Sequence, residues 1–233
     1  MSYVECKNVR KVYEMGEVAV RGADNISCSM EKGELVVVCG PSGSGKTTLL
    51  NLLGGIDIAS SGTIKVDNND ISKLDNKQIE KYRLEDVGYV FQFDNLVPNL
   101  TVRENIMLGK KASDNSLDAE EVINSLGLIG VVDEFQAQLT AEDQQKAAIA
   151  RALVKNPKLL LCDEPTGELN CEAAKNILKL LIEVASKYGI TVVIATHNIE
   201  ICKIANRVII LSGGKVAKEA SKNKPALVSS LVW

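Results

Sequence analysis

One glycine-rich stretch limits the possible folds of this chain more than any other feature. It reads Gly40-Pro41-Ser42-Gly43-Ser44-Gly45-Lys46-Thr47-Thr48 and matches the pattern G-x-x-x-x-G-K-[ST]. An apolar run at 35–39 precedes the stretch and another at 49–53 follows it, which predicts a strand, a glycine loop and a helix. A plain strand-to-helix turn is the alternative, and the fit of both flanks argues against it. The stretch therefore predicts a phosphate-binding loop in an α/β fold.

In a loop of this kind, successive backbone N–H groups turn inward around a phosphate, and the helix N-terminus adds its partial positive charge. We expect Lys46 to reach the β- and γ-phosphates of a nucleoside triphosphate. We expect the Thr47 hydroxyl to bind Mg²⁺.

The composition is that of one globular domain, which we expect to span residues 1–233. The chain is 45% hydrophobic and 24% charged, with a net charge of −3, so no strong positive field indicates nucleic acid as a partner. Its 6 cysteines are scattered without a C-x-x-C pair, which favours a reduced, cytoplasmic compartment. Because no apolar run approaches the length of a membrane span, we expect any work at a membrane to depend on docking.

The order of the apolar runs predicts a P-loop core with a mainly parallel sheet. Residues 1–33 alternate short apolar runs with turn residues, which predicts a small antiparallel β-layer. Strand patterns disappear between about 93 and 155, which predicts a helical subdomain inserted into the core. We expect strands near 35–39, 63–66, 87–91, 158–162, 191–196 and 207–211. We expect helices near 46–54, 77–85, 101–108, 118–126, 142–155, 171–187 and 198–205.

An acidic pair, Asp163 and Glu164, directly follows the apolar run 159–162. Ligands of α/β sheets bind at the carboxyl ends of the strands, where this pair is predicted to lie. We expect Asp163 to belong to the Mg²⁺ shell and Glu164 to polarise the attacking water. A surface turn is the alternative, because Asp-Glu-Pro is a common sequence.

Two further polar residues follow predicted strands. His197, the only histidine, comes after the apolar run 191–196, where it could donate to the γ-phosphate and orient the water. Gln92 comes after 87–91, where its amide could contact both Mg²⁺ and the attacking water. Either residue alone is weak support, since a lone histidine is usually structural or solvated. Together they predict several polar groups around one phosphate site.

Over residues 2–220, the chain resembles the ATP-binding subunit of an ABC transporter, in the lipoprotein-release and macrolide-export branch. The resemblance rests on segments 40–48 (Walker A), 91–96 (Q-loop), 160–167 (Walker B) and 195–198 (switch histidine). It implies ATP and Mg²⁺ as cofactors. The implied ATP-binding residues are Tyr13, Gly40, Pro41, Ser42, Gly43, Ser44, Gly45, Lys46, Thr47, Thr48 and Gln92. The implied Mg²⁺ ligands are Thr47, Gln92 and Asp163, and the implied catalytic residues are Glu164 and His197.

The resemblance also implies a mechanism and partners. Tyr13 would stack on adenine, unless it is an aromatic residue of the β-layer core. Two such subunits, alike or different, would close over two ATP molecules and part after hydrolysis. The helical insertion, including 97–100, would grip an integral-membrane permease. The protein would then lie at the inner face of the cell membrane, held there by the permease.

The chain departs from the family in the signature segment. In place of L-S-G-G-Q or L-S-G-G-E it reads Leu139-Thr140-Ala141-Glu142-Asp143, without either glycine. The family uses this segment on the ATP of the opposite subunit, so side chains at 141 and 142 and the carboxylates of Glu142 and Asp143 should hinder contact with a polyphosphate. The D-loop is altered as well and reads Gly167-Glu168-Leu169-Asn170. We therefore expect tight ATP binding with hydrolysis weakened unless a partner supplies an intact signature.

Several alternatives stay open on sequence alone. The altered segment could be tolerated drift or a variant made for study. An ATP-dependent regulator of a membrane partner, with little turnover, is a second function. A soluble ABC ATPase acting on DNA or ribosomes is a third, but its long coiled-coil insertion or tandem domain is missing from the sequence. We expect the apolar end, 227–233, to be a loosely ordered tail, with packing on the domain or a partner as the alternative.

Overall fold

The computed structural model describes residues 2–16, 18–93 and 95–232, which form two β-sheets. The first sheet is antiparallel, with the strand order β2-β1-β4-β5. Its strands are β1 (Val4–Met15), β2 (Val18–Met30), β4 (Ser61–Val66) and β5 (Asn69–Asp70). The predicted antiparallel β-layer is confirmed, although it is built from two long strands rather than short runs.

The second sheet has the order β10-β9-β3-β8-β7-β6. Its strands are β3 (Leu35–Cys39), β6 (Val87–Val90), β7 (Leu159–Asp163), β8 (Thr191–Thr196), β9 (Arg207–Ser212) and β10 (Lys215–Ser221). All neighbouring pairs from β9 to β6 are parallel, and β10 pairs antiparallel with β9 at the edge. Every residue of β3, β7 and β8 is buried, as expected for central strands covered on both faces.

Local sequence signals explain where most of the helices begin. The α-helices are α1 (Lys46–Leu53), α2 (Asn76–Glu85), α3 (Val102–Lys111), α4 (Ala119–Ser125), α5 (Ala141–Leu153) and α6 (Cys171–Tyr188). Helices α2 and α3 begin with capping boxes, in which the N-cap side chain and the N3 side chain bond each other's backbone. The N-caps of α5 and α6 are Thr140 and Asn170. The left-handed Gly189 ends α6.

The parallel sheet separates two hydrophobic cores. On one face, Val37 and Leu160 pack among residues of α3 to α6. On the other, Val36 and Leu161 pack with α1 and the antiparallel sheet. Alternate residues of one strand therefore serve different cores, because side chains of a strand alternate between its two faces. This packing fixes α1 between the two sheets.

The structure confirms the α/β fold with a mainly parallel sheet and corrects three details. The predicted helix near 198–205 is a 3₁₀ helix, Ile199–Ile204, and the sequence did not predict β5 or β10. The prediction of a loosely ordered tail is wrong for residues 227–232, since Val228 and Leu231 are buried in the core beside α6, as in the alternative of packing on the domain. Helices α3 to α5 lie between β6 and β7, and their being a separate subdomain stays a prediction. Asp94 and Trp233 lie outside the described residues.

Candidate active site

The loop between β3 and α1 is shaped by its glycines. Gly43 and Gly45 have φ of 74° and 100°, in the left-handed region that favours glycine. A Cβ on Gly45 would lie 2.3 Å from the carbonyl oxygen of Gly22, so only glycine permits this close approach. The same applies to Gly40, where a Cβ would lie 2.3 Å from the carbonyl oxygen of Leu211. The loop therefore curls tightly against β2 and β9.

Lys46 begins α1 and its side chain folds back into the loop. Its Nζ donates to the carbonyl oxygens of Gly40 at 2.9 Å and Pro41 at 3.1 Å, and the residue is buried. The Oε1 atom of Glu164 lies 3.8 Å from the same Nζ. A buried ammonium that bonds two carbonyl groups is held where a phosphate in the loop could replace those bonds.

Asp163 ends β7 as a buried carboxylate that lacks a full set of partners. Its Oδ1 atom has no hydrogen-bond partner among the described residues. Burial raises the pKa of Asp163; a hydrogen bond with Thr47 opposes the shift, the charge of Glu164 adds to it and Lys46 opposes it. An unpaired buried carboxylate oxygen beside a hydroxyl fits a divalent cation, because Mg²⁺ prefers oxygen ligands. The residues present therefore fit the expected Mg²⁺.

Glu164 and His197 meet because their strands are neighbours. Strands β7 and β8 pair in parallel, with Asp163 opposite Ala195, so the next residues leave the same edge of the sheet together. The Glu164 amide donates to the Ala195 carbonyl at 2.9 Å, and Glu164 Oε1 lies 3.0 Å from His197 Nδ1. The side chain of Glu164 is 8% exposed and that of His197 is 68% exposed. The pair thus joins a buried carboxylate to an imidazole at the surface.

A cleft of about 680 Å³ unites most of the predicted residues. The site residues predicted from the sequence that line this cleft are Tyr13, Pro41, Ser42, Gly43, Gly45, Lys46, Thr47, Thr48, Gln92, Asp163, Glu164 and His197. Gly40 and Ser44 do not line the cleft and are buried. Sequence reasoning missed Val20, Arg21 and Gly22, which also line it. The short apolar run 18–20 indicated a strand but gave no sign that this strand reaches the loop.

The altered signature segment lies outside this cleft, at the start of α5. Leu139 is buried, and Thr140 accepts a hydrogen bond from the Asp143 amide at 3.1 Å. The Thr140 hydroxyl donates to Asp143 Oδ2 at 2.6 Å. Glu142 Oε1 lies 2.8 Å from Lys146 Nζ and accepts from Asn176 Nδ2 at 3.3 Å. Both carboxylates are therefore engaged within their own chain.

Ala141 lines a second, smaller cleft of about 210 Å³. Gln92 and Glu164 of the first cleft also line it, as do Gly167 and Glu168 of the altered D-loop. The two clefts therefore share a carboxylate and an amide.

A family match, sequence relatives and solved structures agree with one another. The family described as ABC transporter matches residues 23–167. The uncharacterised ABC transporter ATP-binding protein MJ0796 of Methanocaldococcus jannaschii is 36% identical over 225 residues, covering 93% of this chain and 96% of that protein. A dimeric structure of MJ0796, described as a post-hydrolysis state bound to ADP and Pi, superimposes with a TM-score of 0.85 at 35% identity. It covers 94% of this chain and 98% of the other.

Other relatives are longer proteins. The macrolide export ATP-binding/permease protein MacB of Neisseria meningitidis is 36% identical over 228 residues, which cover 96% of this chain but 35% of MacB. A putative ABC transporter ATP-binding protein of Mycoplasma pneumoniae is 35% identical over 233 residues, covering 99% of this chain and 50% of that protein. The chain thus spans half the length, or less, of these curated relatives. On its motifs, fold and relatives, the chain belongs to the ABC transporter family.

Proposed function

We propose that this chain binds and hydrolyses ATP as the nucleotide-binding subunit of an ABC transporter. The observation that carries the proposal is the single cleft that unites Lys46, Asp163, Glu164 and His197 beside the glycine loop. Family membership and the superposition on a cassette bound to ADP and Pi support it. The two MJ0796 structures are described as dimers, which supports a second ATP-binding subunit as a partner.

Each side chain of the cleft has a role in this chemistry. Backbone N–H groups of the loop and the Lys46 ammonium would bind the β- and γ-phosphates. Thr47, Gln92 and Asp163 would hold Mg²⁺, which when bound neutralises charge on these phosphates. Glu164 would accept a proton from the attacking water, and His197 would orient that water and the γ-phosphate. Tyr13 would stack on the adenine.

Coupling to a membrane permease is the proposed use of the hydrolysis energy. Gln92 lines the nucleotide cleft. The apolar side chains of Phe93 and Val97, which follow it within five residues, are exposed. Exposed apolar groups next to a residue that would contact Mg²⁺ and the attacking water suit a surface that a permease covers. Within the described ranges, no helix combines the length and the apolarity needed to cross a membrane. We infer a cytoplasmic position at the inner face of the membrane, with the permease as anchor.

The start of α5 favours a second candidate, a regulator that binds ATP with little turnover. Acidic residues occupy the first turn of this helix, at Glu142 and Asp143. Carboxylates there cancel the partial positive charge that a helix N-terminus offers to an anion. In a homodimer, this segment would then hold the ATP of the opposite subunit poorly at both sites. With a different partner that has an intact signature, the ATP held by this chain would still be hydrolysed.

Removing the Lys46 ammonium tests the central proposal. We expect Lys46→Ala to abolish detectable binding of Mg-ATP in titration calorimetry, because the loop then lacks the charge that offsets the phosphates. Glu164→Gln should retain binding and lose hydrolysis at least about a hundredfold, since a general base contributes roughly 10² to 10⁴.

The matched control is Lys158→Ala, which removes a lysine paired with Asp86 at the other end of β7. This control should bind Mg-ATP like the wild type. The proposal fails if the wild type gives no heat with Mg-ATP, or if Lys46→Ala and the wild type bind it equally.

A further inference from the structure

The hydroxyl group of Tyr13 is tied down at the edge of the cleft. It donates to Asp57 Oδ2 at 2.8 Å, and Thr48 Oγ1 lies 3.5 Å away. Tyr13 belongs to β1, whereas Asp57 belongs to the loop that follows α1. The hydrogen bond therefore joins the antiparallel sheet to the segment that leaves the phosphate-loop helix.

Asp57 is itself held in one orientation. Its Oδ1 atom accepts from the Ile58 amide at 2.8 Å and pairs with the ammonium of Lys11. Lys11 also donates to the Ile58 carbonyl at 3.0 Å, and its Nζ lies 5.0 Å from the centre of the Tyr13 ring. Burial raises the pKa of Asp57, but hydrogen bonds from Lys11, Tyr13 and Ile58 outweigh burial and lower it overall. The carboxylate thus stays charged and remains an acceptor for the phenol.

The ring of Tyr13 has little freedom on the side of β2. A Cβ added to Gly22 would lie 2.6 Å from Tyr13 Cε2 and 2.7 Å from Thr48 Oγ1. The absence of a side chain at this glycine leaves the space that the ring occupies. With one edge against Gly22 and the hydroxyl on Asp57, the ring is fixed where it lines the nucleotide cleft.

We propose that Asp57 is a positioning residue, which holds the Tyr13 ring in the orientation that contacts the base of the bound nucleotide. The inference rests on the proposed ATP site and adds to it a residue that lies outside the lining of the cleft. An aromatic ring that is pre-oriented costs less conformational entropy on binding than a free one. Through Tyr13, Asp57 therefore affects contacts with the base and leaves contacts with the phosphates unchanged.

Comparing a ligand that has a base with one that lacks it tests this role. We expect Asp57→Ala to weaken binding of Mg-ATP about three- to tenfold, the usual range for an aromatic contact, and to leave binding of Mg-tripolyphosphate unchanged. Binding of Mg-GTP should weaken by the same factor as binding of Mg-ATP, because stacking discriminates little between bases. Titration calorimetry on the full chain gives the ratio of the affinity for Mg-ATP to that for Mg-tripolyphosphate.

Further variants separate positioning from a structural role. Tyr13→Phe should weaken the binding of Mg-ATP as much as Asp57→Ala does. The double variant Tyr13→Phe with Asp57→Ala should weaken it no further, because all three proteins lose the same hydrogen bond. Asp57→Asn, which keeps an acceptor oxygen, should recover most of the affinity. Asp86→Ala is the matched control, since it removes an aspartate paired with Lys158 away from the cleft.

Two results would overturn the inference. One is a lower Tm for Asp57→Ala with an unchanged ratio of ATP to tripolyphosphate affinity, which is the signature of a purely structural tie. The other is unchanged ATP affinity in Tyr13→Ala, which would remove the base contact. In either case the ATP site itself stands if Lys46→Ala still loses both ligands, so the two proposals can fail separately.

Discussion

At the scale of single residues, Glu164 has a backbone conformation that few residues adopt. Its φ is 46°, in the left-handed region, which costs about 1–2 kcal/mol for a residue with a Cβ. The hydrogen bond from its amide to Ala195 and its side-chain contact with His197 hold it there. Such strain is common at functional sites, where the surrounding structure fixes it. The geometry of Glu164 therefore agrees with its proposed role as a base.

Lys155 is a second residue with an unusual environment, away from the cleft. Its Nζ donates to the carbonyl oxygens of Arg83 at 2.6 Å and Val87 at 2.7 Å. Burial lowers its pKa to about 8 from 10.5, because the charged form is poorly solvated. The unfolded chain then binds more protons than the folded chain between pH 8 and 10.5.

The free energy of unfolding should therefore rise with pH across this window. Relative to Lys155→Met, we expect the wild type to gain about 1–3 kcal/mol of unfolding free energy as the pH rises from 8 to 10.5, and to lose it again as the pH returns to 8. Urea unfolding of both proteins at a series of pH values measures the difference. A difference that does not vary with pH would contradict the prediction.

At the scale of elements, the C-terminal segment is part of the fold. Leu231 is 2% exposed and packs in the core that contains α6, and the Ala226 amide donates to the Lys203 carbonyl at 2.9 Å. The segment therefore contributes to the core that contains α6.

Truncating the buried leucine should destabilise the protein. We expect Leu231→Ala to lower the free energy of unfolding by about 2–4 kcal/mol, through lost burial and a residual cavity. Leu227→Ala is the matched control, because Leu227 is 76% exposed, and it should change stability by less than about 0.5 kcal/mol. Equal urea midpoints for the two variants would show that the segment does not stabilise the fold.

Across the fold as a whole, the groups proposed to bind ATP and the altered signature segment lie in different places. Groups that would contact the chain's own ATP converge on one cleft, whereas the altered signature lies at the start of α5, outside it. In the proposed dimer, that helix would serve the ATP of the opposite subunit. The altered residues would thus weaken hydrolysis on the partner's ATP and leave ATP binding intact.

Restoring the glycines tests this expectation. Ala141→Gly combined with Glu142→Gly should raise the ATPase rate of the purified chain about tenfold or more, because backbone groups can then approach the opposing phosphate without the Glu142 carboxylate between them. The matched control is Ala119→Gly with Glu120→Gly, which makes the same change at the start of α4. If both double variants hydrolyse ATP at the wild-type rate, the signature does not limit hydrolysis.

The sequence alone determined the features that depend on neighbours along the chain. The apolar runs predicted the central strands, and the glycine pattern with Lys46 predicted the phosphate loop, because both signals are local. The site residues at the strand ends followed from one rule, that carboxyl ends of parallel strands share an edge.

The contacts between segments that are distant in sequence depend on the three-dimensional packing of the chain. The hydrogen bond from Tyr13 to Asp57 spans 44 residues, and Gly22 reaches the cleft only because β2 packs beside α1. The burial of Leu231 likewise depends on the position of α6. Such contacts leave no periodic pattern in the sequence, since they arise from how the layers pack and not from the preferences of any one segment.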